Sequence, residues 1–338
     1  MQHAPVLGPA RVLRADLFVP RLVQQVAEGP ALAQVQARLS RPPSPPFVAA
    51  VVGPTASGKT DLALALAARL GGEVVSADMG QLYRGFDAGT AKPVGLPVHL
   101  IDVLDPREPS DAGSYARLAA KTVADILARG KLPILAGGTG FYVSALLDGL
   151  DELPRRDPAV RARLEARAKA EGAAALHAEL ARLDPAAAAR IDGRNAVRVV
   201  RALEVVALTG RPVSQQWTER PAPYRALYVG LRWSPEALRR RIRERAEGMF
   251  PEMVREVRAH LAAGLTGAEP AFRCLGYPEA LAVARGETSP VDGLAKMVAA
   301  TNAYARRQRT WFRGQTPATW LEPAGAEREA ARLIEEAR

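Results

Sequence analysis

The 338-residue sequence has little cysteine and lysine, and it lacks a long apolar run. Its one cysteine, Cys274, excludes an internal disulfide and a zinc site that needs several cysteines. The two longest uncharged stretches, residues 42–58 and 132–147, are both shorter than the roughly 20 apolar residues of a membrane-spanning helix, and proline and glycine interrupt both. The sequence therefore excludes a disulfide scaffold, a zinc finger and a membrane-spanning protein, and it favours a cytoplasmic location.

Positive charge is unevenly distributed along the chain. Lysine and arginine number 46 against 36 acidic residues, a net charge of +10, of which residues 1–150 carry +2 and residues 151–338 carry +8. Only six of the basic residues are lysine. A coding bias toward arginine is one explanation of that ratio, but it does not explain the clustering in the second half. The clustering favours a polyanionic partner such as nucleic acid.

The chain begins with a proline-rich extension, residues 1–46, which we expect to be poorly ordered and to which we assign no function. From Phe47, short apolar runs alternate with helical periodicity, a pattern typical of βαβ units around a parallel sheet. An alanine- and arginine-rich helical stretch, residues 151–225, interrupts this pattern. We therefore predict an α/β core formed by residues 47–150 and 226–338, with a helical insertion domain between them. The predicted strands are residues 47–52, 73–78, 99–103, 132–136 and 227–231.

A phosphate-binding loop follows the first predicted strand and precedes a predicted helix. It comprises Gly53, Pro54, Thr55, Ala56, Ser57, Gly58, Lys59 and Thr60. Backbone N–H groups of such a loop surround phosphate oxygens, while the lysine neutralises the terminal phosphate and the hydroxyl of Thr60 ligates Mg²⁺. The loop predicts a P-loop NTPase-like parallel sheet core and is typical of nucleotide-binding and ATP-binding proteins. It does not specify which group is transferred, and a purely structural glycine turn is the alternative.

Three polar residues are candidates at the strand ends that form the edge of the sheet where α/β proteins bind ligands. Asp78 ends the second strand, Thr139 follows the fourth in a glycine-flanked turn, and Lys92 lies in the Gly-Thr-Ala-Lys-Pro segment. Taken singly, Asp78 fits the role of a helix cap as readily as that of a catalytic residue. Thr139 taken singly fits the role of a turn residue. Their convergence on one phosphate loop favours a catalytic site.

Arginines of the second half form three groups. Arg190, Arg194, Arg198 and Arg201 have spacings that place them on one helix face if the segment is continuous. The others lie at residues 239–245 and at residues 306–313, where Trp311 and Phe312 are interleaved. Solvated helix faces are the ordinary interpretation of each group, but three groups together favour a phosphate backbone as partner. We expect four aromatic residues to lie in the core, namely Tyr83, Phe141, Tyr142 and Tyr277.

Several motifs occur in a diagnostic order. They are the phosphate loop, residues 76–93 with Gly-Thr-Ala-Lys-Pro, His99 to Asp102, Gly-Gly-Thr-Gly-Phe-Tyr at 137–142, Arg198 with residues 201–205, Gly276-Tyr277, and Arg-Gln-Arg-Thr-Trp-Phe-Arg at 307–313. In this order the chain resembles the tRNA dimethylallyltransferases, also called tRNA isopentenyltransferases, in their bacterial form. The resemblance covers residues 47 to about 321.

The resemblance implies transfer of a dimethylallyl group from dimethylallyl diphosphate to N6 of the adenosine 3′-adjacent to the anticodon in tRNA, with release of diphosphate. It implies that the phosphate loop holds the prenyl diphosphate, that Asp78 is the general base, and that Thr139 contacts the leaving diphosphate. Lys59, Mg²⁺ on Thr60 and Arg245 would stabilise the charge on that leaving group. The implied tRNA contacts are Asp78, Met79, Gly80, Gln81, Thr139, Arg161, Val197, Arg198, Val199, Val200, Arg201, Arg273, Cys274, Leu275, Gly276, Tyr277 and Pro278. We expect a monomer.

Three positions depart from the family pattern. Met79 replaces a serine, Val197 a glutamine and Pro278 an arginine, and each puts one tRNA contact in doubt. Three other functions remain open on the sequence: an adenylate isopentenyltransferase that prenylates a free nucleotide, a small-molecule P-loop kinase, and a nucleic-acid-binding NTPase without transferase activity. Only the first shares the prenyl donor.

Overall fold

The computed structural model describes residues 44–93, 97–151, 153–217 and 221–338. The predicted N-terminal extension lies outside the described residues, apart from its last three. The order of strands and helices in the described part alternates as the sequence predicts, and the α/β class is confirmed. No helix in that part of the chain is long and apolar enough to cross a membrane.

Six parallel strands form one sheet, in the order β3-β2-β4-β1-β5-β6. The strands are β1 Phe47–Val52, β2 Gly72–Ser76, β3 Val98–His99, β4 Leu132–Gly137, β5 Arg225–Leu231 and β6 Thr319–Leu321. Every side chain of β1 and β4 is buried, because helices cover both faces of the sheet. The central strand β1 is paired with β4 on one side and β5 on the other, so segments distant in sequence meet beside it.

Helices cover the two faces with separate apolar clusters. On one face α1 (Lys59–Leu70) and α11 (Ala326–Ala337) pack against alternate side chains of β1, among them Ala49 and Val51. On the other face α2 (Ala112–Ala128), α3 (Gly140–Leu147) and α10 (Pro290–Gln315) bury Val48 and Ala50. The helix α10 is held on the sheet by Phe312, which is fully buried in this second cluster.

The third predicted strand is wrong in length, since β3 contains only Val98 and His99 instead of residues 99–103. The chain leaves the extended conformation at Leu100 and at Asp102, whose φ angles are 62° and 57°. The carboxylate of Asp102 pairs there with the ammonium of Lys92 at 2.5 Å. This ion pair and the backbone hydrogen bond from Asp102 to the carbonyl of Gln81 take the place of further strand pairing.

The helical stretch predicted between β4 and β5 is present and has an apolar cluster of its own. Its helices are α4 Pro158–Glu171, α5 Ala173–Leu183, α6 Pro185–Arg190 and α7 Ala196–Thr209. Leu164, Leu176, Leu180 and Val199 are buried in this cluster. Whether the stretch behaves as a separate domain stays a prediction.

The four arginines predicted on one helix face do not share one. Arg190 ends α6, Arg194 lies in the turn that follows, and only Arg198 and Arg201 belong to α7. The helix is interrupted because the side chain of Asp192 accepts a hydrogen bond from the backbone N–H of Arg194. Asn195 then caps the start of α7, where its side chain accepts a hydrogen bond from the backbone N–H of Arg198. Arg190 instead lies over the ring of Trp217, 4.5 Å from its centroid.

Two long helices complete the core and reach back to the sheet. The helix α8 (Pro235–Ala262) packs against both α9 (Tyr277–Ala284) and α10. Three of the four aromatic residues that we expected in the core are buried here and on the sheet, namely Tyr83, Tyr142 and Tyr277. The fourth prediction is wrong, since the side chain of Phe141 is 61% exposed.

Candidate active site

The site lies at the carboxyl edge of the sheet, where the loops that follow β1, β2 and β4 meet in a cleft of about 520 Å³. The loop after β1 is the phosphate loop, and α1 starts within it at Lys59. Ala56 and Gly58 have φ angles of 62° and 87°, left-handed conformations that turn successive N–H groups toward one side. No side chain caps Gly58 at the start of α1. The helix N-terminus is therefore available to an anion.

The hydroxyl of Ser57 is a second indication of a bound anion. This side chain is 1% exposed, and its oxygen has no hydrogen-bond partner in the described part of the chain. A buried polar group without a partner is costly. A phosphate oxygen held by the loop would satisfy it.

Positive charge in the cleft comes from both halves of the sequence. Lys59 is buried and donates a hydrogen bond to the carbonyl of Pro54 at 3.3 Å. From α8, Arg241 donates to the carbonyl of Ala56 at 2.8 Å, and Arg245 lies beside it in the same wall. The sequence singled out Arg245 but missed Arg241, although both belong to the arginine group at 239–245.

Burial lowers the pKa of Lys59 to about 8; the carboxylate of Asp78 opposes this shift, and the guanidinium of Arg245 adds to it. Burial also lowers the pKa of Arg245, against the opposing charges of Asp78 and Asp61. The cleft therefore gathers three cationic side chains, Lys59, Arg241 and Arg245, around the phosphate loop, and it also contains the carboxylates of Asp61, Asp78 and Glu244. The cations and the free N–H groups of the loop together favour a ligand with several anionic oxygens.

Asp78 follows β2 and lines the cleft opposite the phosphate loop, as predicted. Its Oδ1 accepts a hydrogen bond from the backbone of Gly80 at 3.0 Å, which orients the carboxylate. Thr139 lies close by, since its hydroxyl accepts a hydrogen bond from the backbone of Met79 at 3.2 Å. Tyr304 lies near Thr139, and burial raises the pKa of this tyrosine to about 12. The structure thus brings Asp78, Thr139 and Lys59 to one site.

Gln308 links the phosphate loop to the loop after β4, and the sequence analysis did not single it out. Its Oε1 accepts a hydrogen bond from the backbone of Thr55 at 2.9 Å, and its Nε2 donates to the carbonyl of Gly138 at 2.8 Å. The residue is buried in the middle of the Arg-Gln-Arg motif. The sequence did contain a signal for this residue: an uncharged amide lies between arginines on a predicted helix and interrupts an otherwise charged run.

A second missed residue, Glu256 on α8, holds the segment that carries Lys92. Its Oε2 accepts hydrogen bonds from the backbone of Asp87 at 2.8 Å and Ala88 at 2.9 Å, and Oε1 accepts from the hydroxyl of Tyr277 at 2.6 Å. Lys92 is itself paired with Asp87 and Asp102. Lys92 therefore stabilises the wall of the cleft, and two carboxylates already compensate its charge.

The residues implied in tRNA contact differ in accessibility. Val197 and Arg198 are exposed on α7, as are Arg273 and Pro278 near α9. Arg161 and Arg201 are engaged by the fully buried carboxylate of Glu204, at 3.7 and 2.9 Å. Four of the others, Val199, Val200, Cys274 and Tyr277, are buried away from solvent, whereas the buried Gln81 lines the cleft. For these four, side-chain contact with RNA does not fit this structure, whereas the roles of the exposed residues stay predictions.

The cleft also suits Mg²⁺. Thr60 and Asp61 line it next to Lys59. The described residues contain no group of three or more His, Cys, Asp or Glu side chains that could hold a metal ion. A single hydroxyl beside a carboxylate fits Mg²⁺, because this ion takes most of its ligands from phosphate oxygens and water.

Comparison with known proteins agrees with this arrangement. A family model described as IPP transferase matches residues 81–315, and one described as isopentenyl transferase matches residues 46–99. The chain belongs to the IPP transferase family. Its relatives include proteins called tRNA dimethylallyltransferase, one from Salinispora arenicola that is 46% identical over 82% of this chain and 83% of its own. Another, from Anaeromyxobacter dehalogenans, is 47% identical over 84% of this chain and 98% of its own.

Solved structures show the same fold for this family member. A tRNA isopentenylpyrophosphate transferase from Bacillus halodurans is 35% identical, with a TM-score of 0.65 over 87% of this chain and 97% of the other. A eukaryotic dimethylallyltransferase acting on tRNA is 22% identical, with a TM-score of 0.69 over 83% of this chain and 75% of its own, which shows a shared fold. The predicted P-loop-like parallel core is therefore confirmed.

We expect diphosphate binding to be coupled to proton uptake by Lys59. The anion favours the charged amine and raises its pKa in the complex, so the free protein must take up a proton at pH values above about 8. The ratio of the Kd of Lys59→Gln to the Kd of the wild type should therefore be constant below about pH 8. Above that pH the ratio should decrease, by up to about tenfold per pH unit. Calorimetric titration with Mg²⁺ and pyrophosphate at about pH 7 and about pH 9 measures this ratio. Titration of the ligand itself cancels in the comparison, and an unchanged ratio would contradict the assignment.

Proposed function

We propose that this IPP transferase family member transfers a dimethylallyl group from dimethylallyl diphosphate to N6 of the adenosine 3′-adjacent to the anticodon in tRNA, releasing diphosphate. The observation that carries the proposal is the placement of Asp78 across one cleft from Lys59 and Arg245. A carboxylate that faces two cations in one cleft suits a reaction that releases an anion and a proton. The names of the relatives supply the substrates in this proposal.

In the proposed reaction the bond between C1 of the prenyl group and the diphosphate oxygen breaks, and a bond from adenine N6 to C1 forms. The adenine amine is a weak nucleophile, because its lone pair is delocalised into the ring. Stabilisation of the leaving diphosphate must therefore supply most of the acceleration, and Lys59, Arg245 and the N–H groups of the phosphate loop are placed for it.

The proton of N6 goes to the carboxylate of Asp78 as the new bond forms. The hydrogen bond from Gly80 holds this carboxylate in the cleft, so that one oxygen remains available to the amine. Mg²⁺, held by Thr60 when bound, would neutralise further charge on the leaving group. Thr139 lies next to Asp78, where its hydroxyl can approach the departing diphosphate.

A small apolar slot next to the cleft supports a short prenyl donor. It shares Thr55, Ala56 and Arg245 with the cleft, so a donor with its diphosphate on the loop can extend into it. The apolar walls of the slot are Ile242, Ala246, Met249, Leu275 and Met297. The narrow slot favours a five-carbon group over longer prenyl chains. A kinase would need space for a nucleoside at this position instead.

The excess of positive charge in residues 151–338 supports tRNA over a free nucleotide as acceptor. The target base is stacked in free RNA and must leave its stack to reach Asp78. A monomeric state and a cytoplasmic location stay predictions.

One assay separates this function from its alternatives. We expect purified protein with Mg²⁺ and dimethylallyl diphosphate to prenylate unmodified tRNA and to leave AMP unchanged, as measured by mass spectrometry of the digested products. Product on AMP alone would establish an adenylate isopentenyltransferase. Hydrolysis of ATP or transfer of its phosphate, with no use of the prenyl donor, would establish a kinase or an NTPase.

Replacement of the proposed base should separate catalysis from binding. We expect Asp78→Asn to lower kcat by about 10²- to 10⁴-fold, because the amide cannot accept the proton, while the tRNA Kd changes by less than about threefold. Single-turnover kinetics and filter binding measure the two quantities, and circular dichroism checks the fold. A large loss of tRNA affinity with unchanged single-turnover chemistry would reassign Asp78 to binding.

The apolar slot predicts control of donor length. We expect Met249→Ala to lengthen the slot and to raise use of the ten-carbon geranyl diphosphate by about tenfold relative to the five-carbon donor, because one large side chain is removed from its wall. Met249→Leu is the matched control, since it keeps the volume but removes the sulfur that accepts a hydrogen bond from Arg245. Competition between the two donors gives the ratio. Equal ratios in the wild type and the alanine variant would show that the tail lies elsewhere.

A further inference from the structure

We propose that Phe141 and Trp311 form a stacking surface for an unpaired base next to the target adenosine, an inference that rests on the proposed function. Phe141 is the one aromatic residue among the exposed large apolar side chains of the described chain. Phe141 lies two residues after Thr139, in the first turn of α3. The ring centroids of Phe141 and Trp311 are 6.3 Å apart, and their planes are inclined by 54°.

Trp311 is held rigidly for such a role. Its ring lies against the backbone of Gly140, where an added Cβ atom would come within 2.5 Å of the indole. Its other neighbour, Phe312, is fully buried and meets the indole edge-on at 4.9 Å. Because packing already orders the indole, a base that stacks on it would cost little side-chain entropy.

The aromatic pair is connected to the reacting groups through α10. Gln308, one turn before Trp311 on this helix, donates a hydrogen bond to the carbonyl of Gly138, next to Thr139, and Tyr304 lies near the same threonine. Thr139 in turn accepts from the backbone next to Asp78. A base that stacks on the pair therefore lies along the path of a strand whose neighbouring adenine reaches Asp78.

Exposed cations lie beside Trp311. An open cleft of about 540 Å³ beside Trp311 is also lined by Arg198 from α7 and by Arg306 and Arg307 from α10. Among the described residues, none of these three guanidinium groups has a carboxylate within ion-pair distance. Arg307 lies 5.8 Å from the ring of Tyr304.

This combination points to single-stranded RNA as the ligand. A partner must offer flat aromatic faces and negative charges together, and the bases and phosphates of an unpaired strand do so. Extrusion of the target adenosine removes a stacking partner from each neighbouring base. Stacking on Phe141 and Trp311 would replace one of these lost contacts and so favour the extruded state.

The test is a cycle of protein and RNA changes. Binding of an anticodon hairpin is measured by fluorescence anisotropy at about 0.15 M salt, with the intact hairpin and with an abasic site on either side of the target adenosine. We expect Phe141→Ala to weaken binding of the intact hairpin by about 5- to 100-fold. One of the two abasic hairpins should bind the wild type more weakly than the intact hairpin does, by a similar factor. Phe141→Ala should bind this abasic hairpin about as well as the wild type binds it, because the stacking contact is already lost.

Three control variants separate stacking from other effects. Phe141→Tyr keeps the aromatic face and should bind like the wild type, whereas Phe141→Leu keeps an apolar side chain without that face and should resemble Phe141→Ala. Val291→Ala removes another exposed apolar side chain, at the start of α10, and should have no effect. Additive losses for both abasic hairpins, or a Phe141→Leu variant that binds like the wild type, would overturn the proposal.

Prenylation of the same hairpin distinguishes the two levels of inference. If the wild type prenylates the hairpin but the cycle shows no coupling, the stacking surface is refuted and the proposed function is retained. If no prenylated hairpin or tRNA forms while AMP or ATP is consumed, the proposed function fails.

Discussion

The candidate site depends on the placement of two cations, Lys59 and Arg245, opposite the carboxylate of Asp78 at the carboxyl edge of a parallel sheet. Lys59 and Arg245 are both buried enough to have lowered pKa values, and Asp78 opposes both shifts. Parallel strands make this possible, because the loops after β1, β2 and β4 all emerge at the same edge. The unpartnered hydroxyl of Ser57 lies in the same loop as the lysine. An anion with several oxygens would pair with the two cations and accept a hydrogen bond from the hydroxyl of Ser57 at once.

Both halves of the chain build this edge. From the second half, Gln308 binds the backbone of the phosphate loop and of the loop after β4, and Arg241 binds the carbonyl of Ala56. Glu256 holds the segment at residues 87 and 88 through two backbone hydrogen bonds. The helices α8 and α10, which carry exposed arginines, thus also shape the cleft. In the proposed reaction, RNA binding and prenyl transfer would share these helices.

Much of the fold could be predicted from the sequence, because its strands are buried apolar runs with clear boundaries. The runs at β1, β4 and β5 were identified to within two residues, and the phosphate loop was placed correctly between β1 and α1. The third strand was overestimated, since the backbone takes left-handed conformations at Leu100 and Asp102, which an apolar run does not reveal. The arginine face failed because Asn195 starts a new helix where the spacing suggested continuity. There a local hydrogen bond from the backbone to a side chain overrode periodicity.

The sequence by itself determined the chemistry of the site, since the phosphate loop, the carboxylate after β2 and the threonine after β4 are local motifs whose residue types suit an anionic ligand. Only the tertiary structure decided which residues support them. Gln308 and Glu256 act on segments more than 160 residues away in sequence, a separation that no local pattern encodes. Tertiary packing likewise decided that Phe141 is exposed while Tyr142 beside it is buried. The physical reason is that a side chain's surroundings are set by the elements packed against it, and those come from distant parts of the chain.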